Sequence, residues 1–442
     1  MTMKFSSTRG GASVGIEDAL MKGIAEDGGL FVPDDLPVRD LAAFDDADTL
    51  TASAQVLLEP FFAGSSLSDA LPAIVAETLH FPIPVVPLQC DGQDVWLMEL
   101  HHGPTAAFKD VGAGFLAACM SRLRGGDEEP LVILVATSGD TGGAVAAAFD
   151  RRPGIRVVVL FPKGRVSARQ ARQLTCWSDN VLSLEVEGSF DDCQTMVKSA
   201  FVDPDLSRRF RFSSANSINI GRLLPQATYY AHSSLAHYRT TGNRPSYVIP
   251  TGNLGNALAC VLARDMGLPI GDVILATNSN RLIPDFLEGQ DWLPRASLQT
   301  LATAMDVGNP SNMERLRNLH GEQDSLAGLV GAVSVDDEQI AAQIRKQHDA
   351  LGIAICPHTA TAFQVFEDLP AVEKERDWIL VSTAHAAKFE SIVEPLIGES
   401  VPVPEALQSI LDKPSRSLSI APTLEALDDA LESGFDRVAA SA

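Results

Sequence analysis

Along most of the chain, short uninterrupted apolar runs alternate with glycine-rich turns and then with Ala/Leu-rich stretches of helical period. "DVWLMEL" precedes "HHGPTAAFKDVGAGFLAACMSRL", "PLVILVATSG" precedes "DTGGAVAAAF", "IRVVVLFP" precedes "SARQARQL", and "PSYVIPTGNLGN" precedes "ALACVLARDM". "GDVILATN" and "RDWILVSTAH" supply two further strand candidates. Apolar runs without polar alternation, bounded by glycine turns and separated by helices, predict parallel strands buried on both faces. The pattern therefore predicts α/β architecture, with ligands at the carboxyl ends of strands. Nearer the start, Ile16, Ala19, Leu20, Gly23 and Ile24 fall on one face of a helix that the pair Gly28-Gly29 ends. The prolines of "LHFPIPVVPL" read as a linker or an extended crossing segment. "LSIAPTLEALDDALESGFDRVAASA" predicts a peripheral helix with a loose end.

A chain of 442 residues is too long for one ordinary core, so two or three domains are expected. Formal charge is −23, which argues against nucleic acid and anionic membranes as partners, because both need clustered Lys and Arg. It leaves room for a small anionic ligand held by local donors. No apolar run reaches membrane-spanning length, and the start lacks the basic and apolar regions of a signal peptide. Six cysteines are scattered without a CxxC pair, so buried, reduced thiols in a cytoplasmic protein are expected.

Three local patterns carry chemistry. "TSGDTGGAVA" (137–146) places Ser138, Asp140 and Thr141 between a strand and a helix. Such a turn either holds an anion on backbone N–H groups or is a plain N-cap made by Asp140 or Thr141. "IPTGNLGNALA" (249–259) brings Gly252, Asn253, Leu254, Gly255 and Asn256 directly into an alanine-rich helix, which suits a nest of N–H donors around phosphate. It has neither GxGxxG spacing nor a GK[ST] ending. "DVGAGFLA" lacks the third glycine of a dinucleotide turn and reads as close helix packing. Lys109, in "GPTAAFKD", is by base rate a solvated charge. Phe108 and the neighbouring alanines also suit a desolvated amine able to form a Schiff base. An enclosed lysine plus anion-suited turns on an α/β scaffold is what a phosphorylated aldehyde cofactor requires. His358 and His385 have no second ligand at helical or finger spacing, so no metal is expected.

"HGPTAAFKD" resembles the cofactor-lysine motif of the threonine synthases, pyridoxal-phosphate enzymes of the tryptophan-synthase-β fold (fold type II). "STRGG", "GIAEDGGLFVP", "ATSGDTGGAV", "SANSINIGRLLPQATYY", "PTGNLGNALA", "VGNPSNMERL", "CPHTATAF" and "STAHAAKF" follow in that family's order, from residue 6 to about 390. The resemblance implies an N-terminal domain over 1–85 and a smaller α/β domain with the cofactor lysine over 86–245. A larger domain binding the cofactor's phosphate would span 246–395, and a peripheral extension 396–442. It implies pyridoxal 5'-phosphate anchored on Lys109, its phosphate in the Gly252–Asn256 turn, Thr383 at the pyridine nitrogen and Asp140 beside the ring. It further implies that Thr105, Ser138, Thr141, Asn216, Ser217, Arg222, Asn312 and Arg315 meet the substrate. Arg222 and Arg315 are the candidates for its phosphate, since a guanidinium donates in a planar fork. For Arg315 a helix-surface pairing with Glu314 is the alternative. The implied reaction converts O-phospho-L-homoserine and water into L-threonine and phosphate in a monomer or homodimer. Two alternatives stand beside it: a related phospho-lyase that makes no threonine, and a phosphate-binding module without covalent cofactor.

Overall fold

The structure is a computed structural model that describes residues 2–90, 92–124, 129–137 and 139–440. Two larger sheets organise it. One has six strands in the order β11-β10-β9-β12-β4-β3, formed by Gly331–Ser334 (β11), Val273–Thr277 (β10), Ser246–Pro250 (β9), Trp378–Ser382 (β12), Gln93–Glu99 (β4) and Val85–Cys90 (β3). The other has five, in the order β13-β7-β6-β5-β8: Leu418–Ile420 (β13), Val181–Val186 (β7), Ile155–Pro162 (β6), Leu131–Ala136 (β5) and Arg211–Ser213 (β8). Every pairing in both sheets is parallel except that of β3 with β4. A two-stranded antiparallel ribbon, Phe5–Ser7 (β1) with Phe31–Pro33 (β2), lies near the N-terminus.

The apolar runs behave as their composition demands. All residues of β5, β9, β10 and β12 are buried, because helices cover both faces of the sheets. The helices Lys109–Leu123, Asp140–Phe149, Ala168–Thr175 and Gly255–Asp265 follow β4, β5, β6 and β9, as the alternating pattern predicts. Of the proline-rich passage, the end is an extended segment rather than a linker: 85–90 forms β3, at the sheet edge, and the residues just before it have no regular structure. An edge position tolerates Pro87, which has no N–H to donate. The first helix, Ile16–Lys22, stops at Gly23 rather than at the later glycine pair. Gly23 has φ 72°, a left-handed conformation that ends the helix. Ile16, Ala19 and Leu20 face the core as expected. At the other end, the helix Leu424–Ala440 buries Leu427 and Leu431 against the outer side of the five-stranded sheet.

Sheet membership does not follow chain order. Residues 85–99 pair with strands drawn from 246–382, and residues 418–420 pair with β7. All six cysteines are buried, and none is joined in a disulfide. Among the described residues, no helix is long and apolar enough to cross a membrane.

Candidate active site

Three neighbouring strands of the six-stranded sheet, β9, β12 and β4, end at one place, and β5 of the other sheet ends opposite them. The segments leaving these four ends carry most of the sequence candidates; Asn216, Ser217 and Arg222 follow β8, and Asn312 and Arg315 lie between β10 and β11. The segments after β9, β12, β4, β5 and β8 contribute to one cleft of about 1380 Å³ that includes Lys109, Asp140, Thr141, Asn216, Ser217, Arg222, the turn Gly252–Asn256, His358 and Thr383.

Lys109 opens its helix, and the loop before it is held by the segment that leaves the neighbouring strand β12. The Phe108 N–H donates to the Thr383 carbonyl at 2.8 Å, and the His385 N–H donates to the Ala106 carbonyl at 3.0 Å. Ala106 takes φ 54°, a left-handed conformation unusual for alanine, where the loop turns into the helix. Asp110 pins the same loop: its carboxylate accepts from the Thr105 N–H at 2.9 Å and the Thr105 hydroxyl at 2.5 Å. The Lys109 side chain is only 14% exposed, with its amine 4.9 Å from the Phe108 ring centre and 3.8 Å from Asp140 Oδ2. Burial pulls the amine's pKa below its ordinary value; Asp140 opposes this, and the charges of Lys388 and Arg222 add to it. Burial alone would raise the Asp140 carboxyl, but Lys388 and Lys109 outweigh it and hold the group well below the carboxylate range. His358 accepts the Ala304 N–H on Nε2, and burial lowers its pKa to about 4, leaving it neutral at pH 7.

The two turns differ in what their donors do. At 137–142 the cap is neither Asp140 nor Thr141. The Thr137 hydroxyl accepts from the Gly139 and Gly142 N–H groups at 3.0 and 2.9 Å, which frees the Asp140 carboxylate for the lysines. Gly139 has φ 139°, and a Cβ there would lie 2.7 Å from Gln170 Nε2, so glycine is required. At 252–256 the turn enters the helix Gly255–Asp265 through Leu254 in the left-handed conformation. The Asn256 side-chain oxygen Oδ1 accepts from the Tyr229 and Tyr230 phenols, while its buried Nδ2 has no partner. An orphaned donor beside a helix N-terminus fits an anion such as the cofactor's phosphate.

Of the remaining candidates, Thr105 is fully buried and serves Asp110, and Ser138 lies outside the described residues. Asn312 and Arg315 are also fully buried. Asn312 donates to the carbonyls of Ser217 and Asn253, while Asn253 Nδ2 donates to the Ser217 hydroxyl at 2.6 Å. Arg315 spends its guanidinium on the carbonyls of Phe31, Ser217 and Ile218 and on the Asn312 amide oxygen. Glu314 does not pair with it; that carboxylate takes Thr8 and a two-pronged contact from Arg9 of the N-terminal "STRGG" segment. Arg222 instead faces the cleft, donates from Nη1 to the Ala215 carbonyl and has an unpartnered Nε. Away from this cluster, Glu99, His101 and His102 bring ligand-type atoms within 4.8 Å of one another, with His102 Nε2 and Glu99 Oε2 hydrogen-bonded at 2.6 Å.

Comparison with known proteins bears on this geometry. The profile of the family described as "Pyridoxal-phosphate dependent enzyme" matches residues 76–384. Profiles described as "Threonine synthase N terminus" and "Threonine synthase, C-terminal" match residues 4–79 and 359–431. The threonine synthase of Escherichia coli is 36% identical over 417 residues, covering 94% of this chain and 95% of that one. The chain belongs to the threonine synthase family. It is therefore a pyridoxal-phosphate-dependent lyase of fold type II. The threonine synthase of Serratia marcescens is 37% identical over 89% of this chain and 90% of its own. Among solved structures, the E. coli threonine synthase superposes with TM-score 0.88 at 35% identity, covering 98% of this chain and all of that one. A pyridoxal-phosphate-bound threonine synthase from Brucella melitensis gives 0.87 at 32%, over 97% of this chain and 99% of its own. The family's lysine motif, both turns and the Thr383 segment all fall on the cleft.

Proposed function

We propose that this chain converts O-phospho-L-homoserine and water into L-threonine and phosphate, with the chemistry centred on Lys109. The observation that carries the reading is a lysine side chain only 14% exposed that lines the same cleft as the partnerless Asn256 donor. Pyridoxal phosphate, when bound, supplies the electron sink that lets protons leave the α and β carbons of an amino-acid substrate. Lys109 would anchor it. The Gly252–Asn256 turn and Asn256 Nδ2 would hold its phosphate, Thr383 would meet its ring nitrogen, and Asp140 would lie alongside.

A desolvated amine whose pKa burial draws below the ordinary lysine value suits Lys109 to repeated transfers at adjacent carbons. Phe108 packs beside the amine, and burial of the Lys109 side chain limits its contact with bulk water. Arg222 is the residue we assign to the substrate's phosphate, because it faces the cleft with donor capacity in hand, together with Asn216, Ser217 and Thr141. Asn312 and Arg315 shape the 216–218 and 253 segments rather than touching phosphate, and Thr105 holds the lysine loop.

Borohydride reduction of the cofactor-loaded protein, followed by peptide mapping, tests the anchor: the pyridoxyl label belongs on Lys109, and a label on Lys163 or Lys388 removes the mechanism. Product analysis with O-phospho-L-homoserine tests the reaction. Threonine is expected; 2-oxobutyrate and ammonia in its place would make this a phospho-lyase.

A further inference from the structure

A second lysine stands at Asp140 with no part in the transfers above. Lys388 lies in a short turn after β12, is 0% exposed, and donates from Nζ to Asp140 Oδ1 at 2.9 Å and to the Thr105 carbonyl at 2.7 Å. We infer that Lys388 is a positioning residue for Lys109: it claims the carboxylate that would otherwise retain the Lys109 proton, and it ties down the loop that presents Lys109. This rests on reading Lys109 as the cofactor's anchor.

Asp140 divides its two oxygens unequally. Oδ1 has Lys388 at hydrogen-bond distance and Gln170 Nε2 at 3.4 Å, whereas Oδ2 is 3.8 Å from Lys109, beyond a hydrogen bond. One carboxylate between two amines neutralises one charge, and the geometry gives it to Lys388. Among the described residues Asp140 is the carboxylate paired with Lys109, and both oxygens of nearby Asp110 accept from Thr105. The other titratable or charged groups facing Lys109 are Arg222, Cys356 and His358; Arg222 repels an ammonium, and His358 is held neutral by burial. The second contact acts on position. The Thr105 carbonyl that receives Lys388 also receives Gln173 Nε2 at 3.1 Å, and it lies four residues before Lys109.

Competitive acetylation of the full chain stripped of cofactor, read at Lys109 by mass spectrometry from pH 6 to 11, measures the amine's titration directly. In Lys388→Met the titration of Lys109 is expected to move up by about one pH unit or more, the effect of an opposite charge released at 4–6 Å. Lys388→Arg keeps the charge and stays near the parent. Asp140→Asn/Lys388→Met removes the released carboxylate and falls back to the parent value or below. Lys388→Gln, neutral but still able to donate, is run alongside and replaces the methionine variant where circular dichroism shows that one unfolded. A neutral Lys388 variant that titrates with the parent overturns the inference, and so does a double variant that keeps the raised value. The amine is read without cofactor, so such a failure leaves the anchor role intact; borohydride mapping to another lysine removes that role and leaves the titration untouched.

Discussion

Two glycines in one helix separate packing from propensity. Gly112 and Gly114 both lie inside the helix Lys109–Leu123, where glycine costs about 1 kcal/mol relative to alanine. A Cβ on Gly114 would have Thr78 side-chain atoms as its nearest neighbours, at 3.7 Å, which is ordinary contact. A Cβ on Gly112 would lie 2.7 Å from the Arg222 carbonyl oxygen and 2.9 Å from Arg222 Nε, which forces backbone and guanidinium to shift. Gly114→Ala should thus gain up to about 1 kcal/mol. Gly112→Ala should give back that gain against an overpacking cost of about 1–3 kcal/mol, leaving it about 1–3 kcal/mol below its partner. Because the displaced atoms belong to Arg222, Gly112→Ala should also raise KM for O-phospho-L-homoserine, while Gly114→Ala leaves it unchanged. Urea unfolding and steady-state kinetics on the two variants check both halves. Equal stability together with equal KM would refute the close approach of Gly112 to Arg222 and weaken the role given to that arginine.

Other outcomes follow from the same geometry. Lys109→Ala should abolish borohydride-fixed label and lower kcat by at least about 1000-fold, as expected for loss of a covalent and proton-transfer group. Arg222→Met should raise KM for the phosphorylated substrate by roughly tenfold or more, the loss of a charge-assisted bond, whereas Arg315→Met should instead lose about 3 kcal/mol of stability in urea unfolding, because it removes a donor from four acceptors, two of them in buried bonds. His358 is neutral when folded at pH 7, with a pKa of about 4 against an ordinary 6.5. The unfolded chain therefore binds its proton first, and stability falls as pH drops from 6.5 to 4, by about 3 kcal/mol for this group. His358→Gln, whose amide oxygen can still accept the Ala304 N–H, should flatten that stretch of the stability–pH curve. The six thiols should resist a thiol reagent in the native protein and all react once it is unfolded.

The strands most easily read from the chain were those buried on both faces, since an unbroken apolar run such as Leu131–Ala136 has no other stable home. β7, with Ser183 and Glu185 among its apolar residues, and the three-residue β8 gave no such signal. β3 was hidden by prolines that only an edge accepts. Lys109 and the Gly252–Asn256 turn were legible because each is a local motif whose residue types carry the chemistry. Lys388 was not, because its meaning arises from contact with Thr105, 283 residues away. Likewise the Arg9–Glu314 pair, 305 residues apart, follows from how the chain is placed, and adjacent residues do not announce it. The two arginines looked alike in sequence; only their partners separate a saturated guanidinium from one facing the cleft.

The interleaving of the sheets fixes an order of assembly on the ribosome. Strand β4 emerges early, yet its parallel neighbour is β12, nearly 280 residues later, and everything from 131 to 213 that builds the other sheet is synthesised in between. The five-stranded sheet can gather β5 to β8 while the hairpin β3–β4 waits with one edge unpaired. Long-range parallel pairing of this kind is slow and leaves sticky edges exposed. Since Thr383 and Lys388 arrive with β12, the lysine loop is held open until that strand docks. Nascent chains arrested before residue 382 should be unable to capture the cofactor and should depend on chaperones.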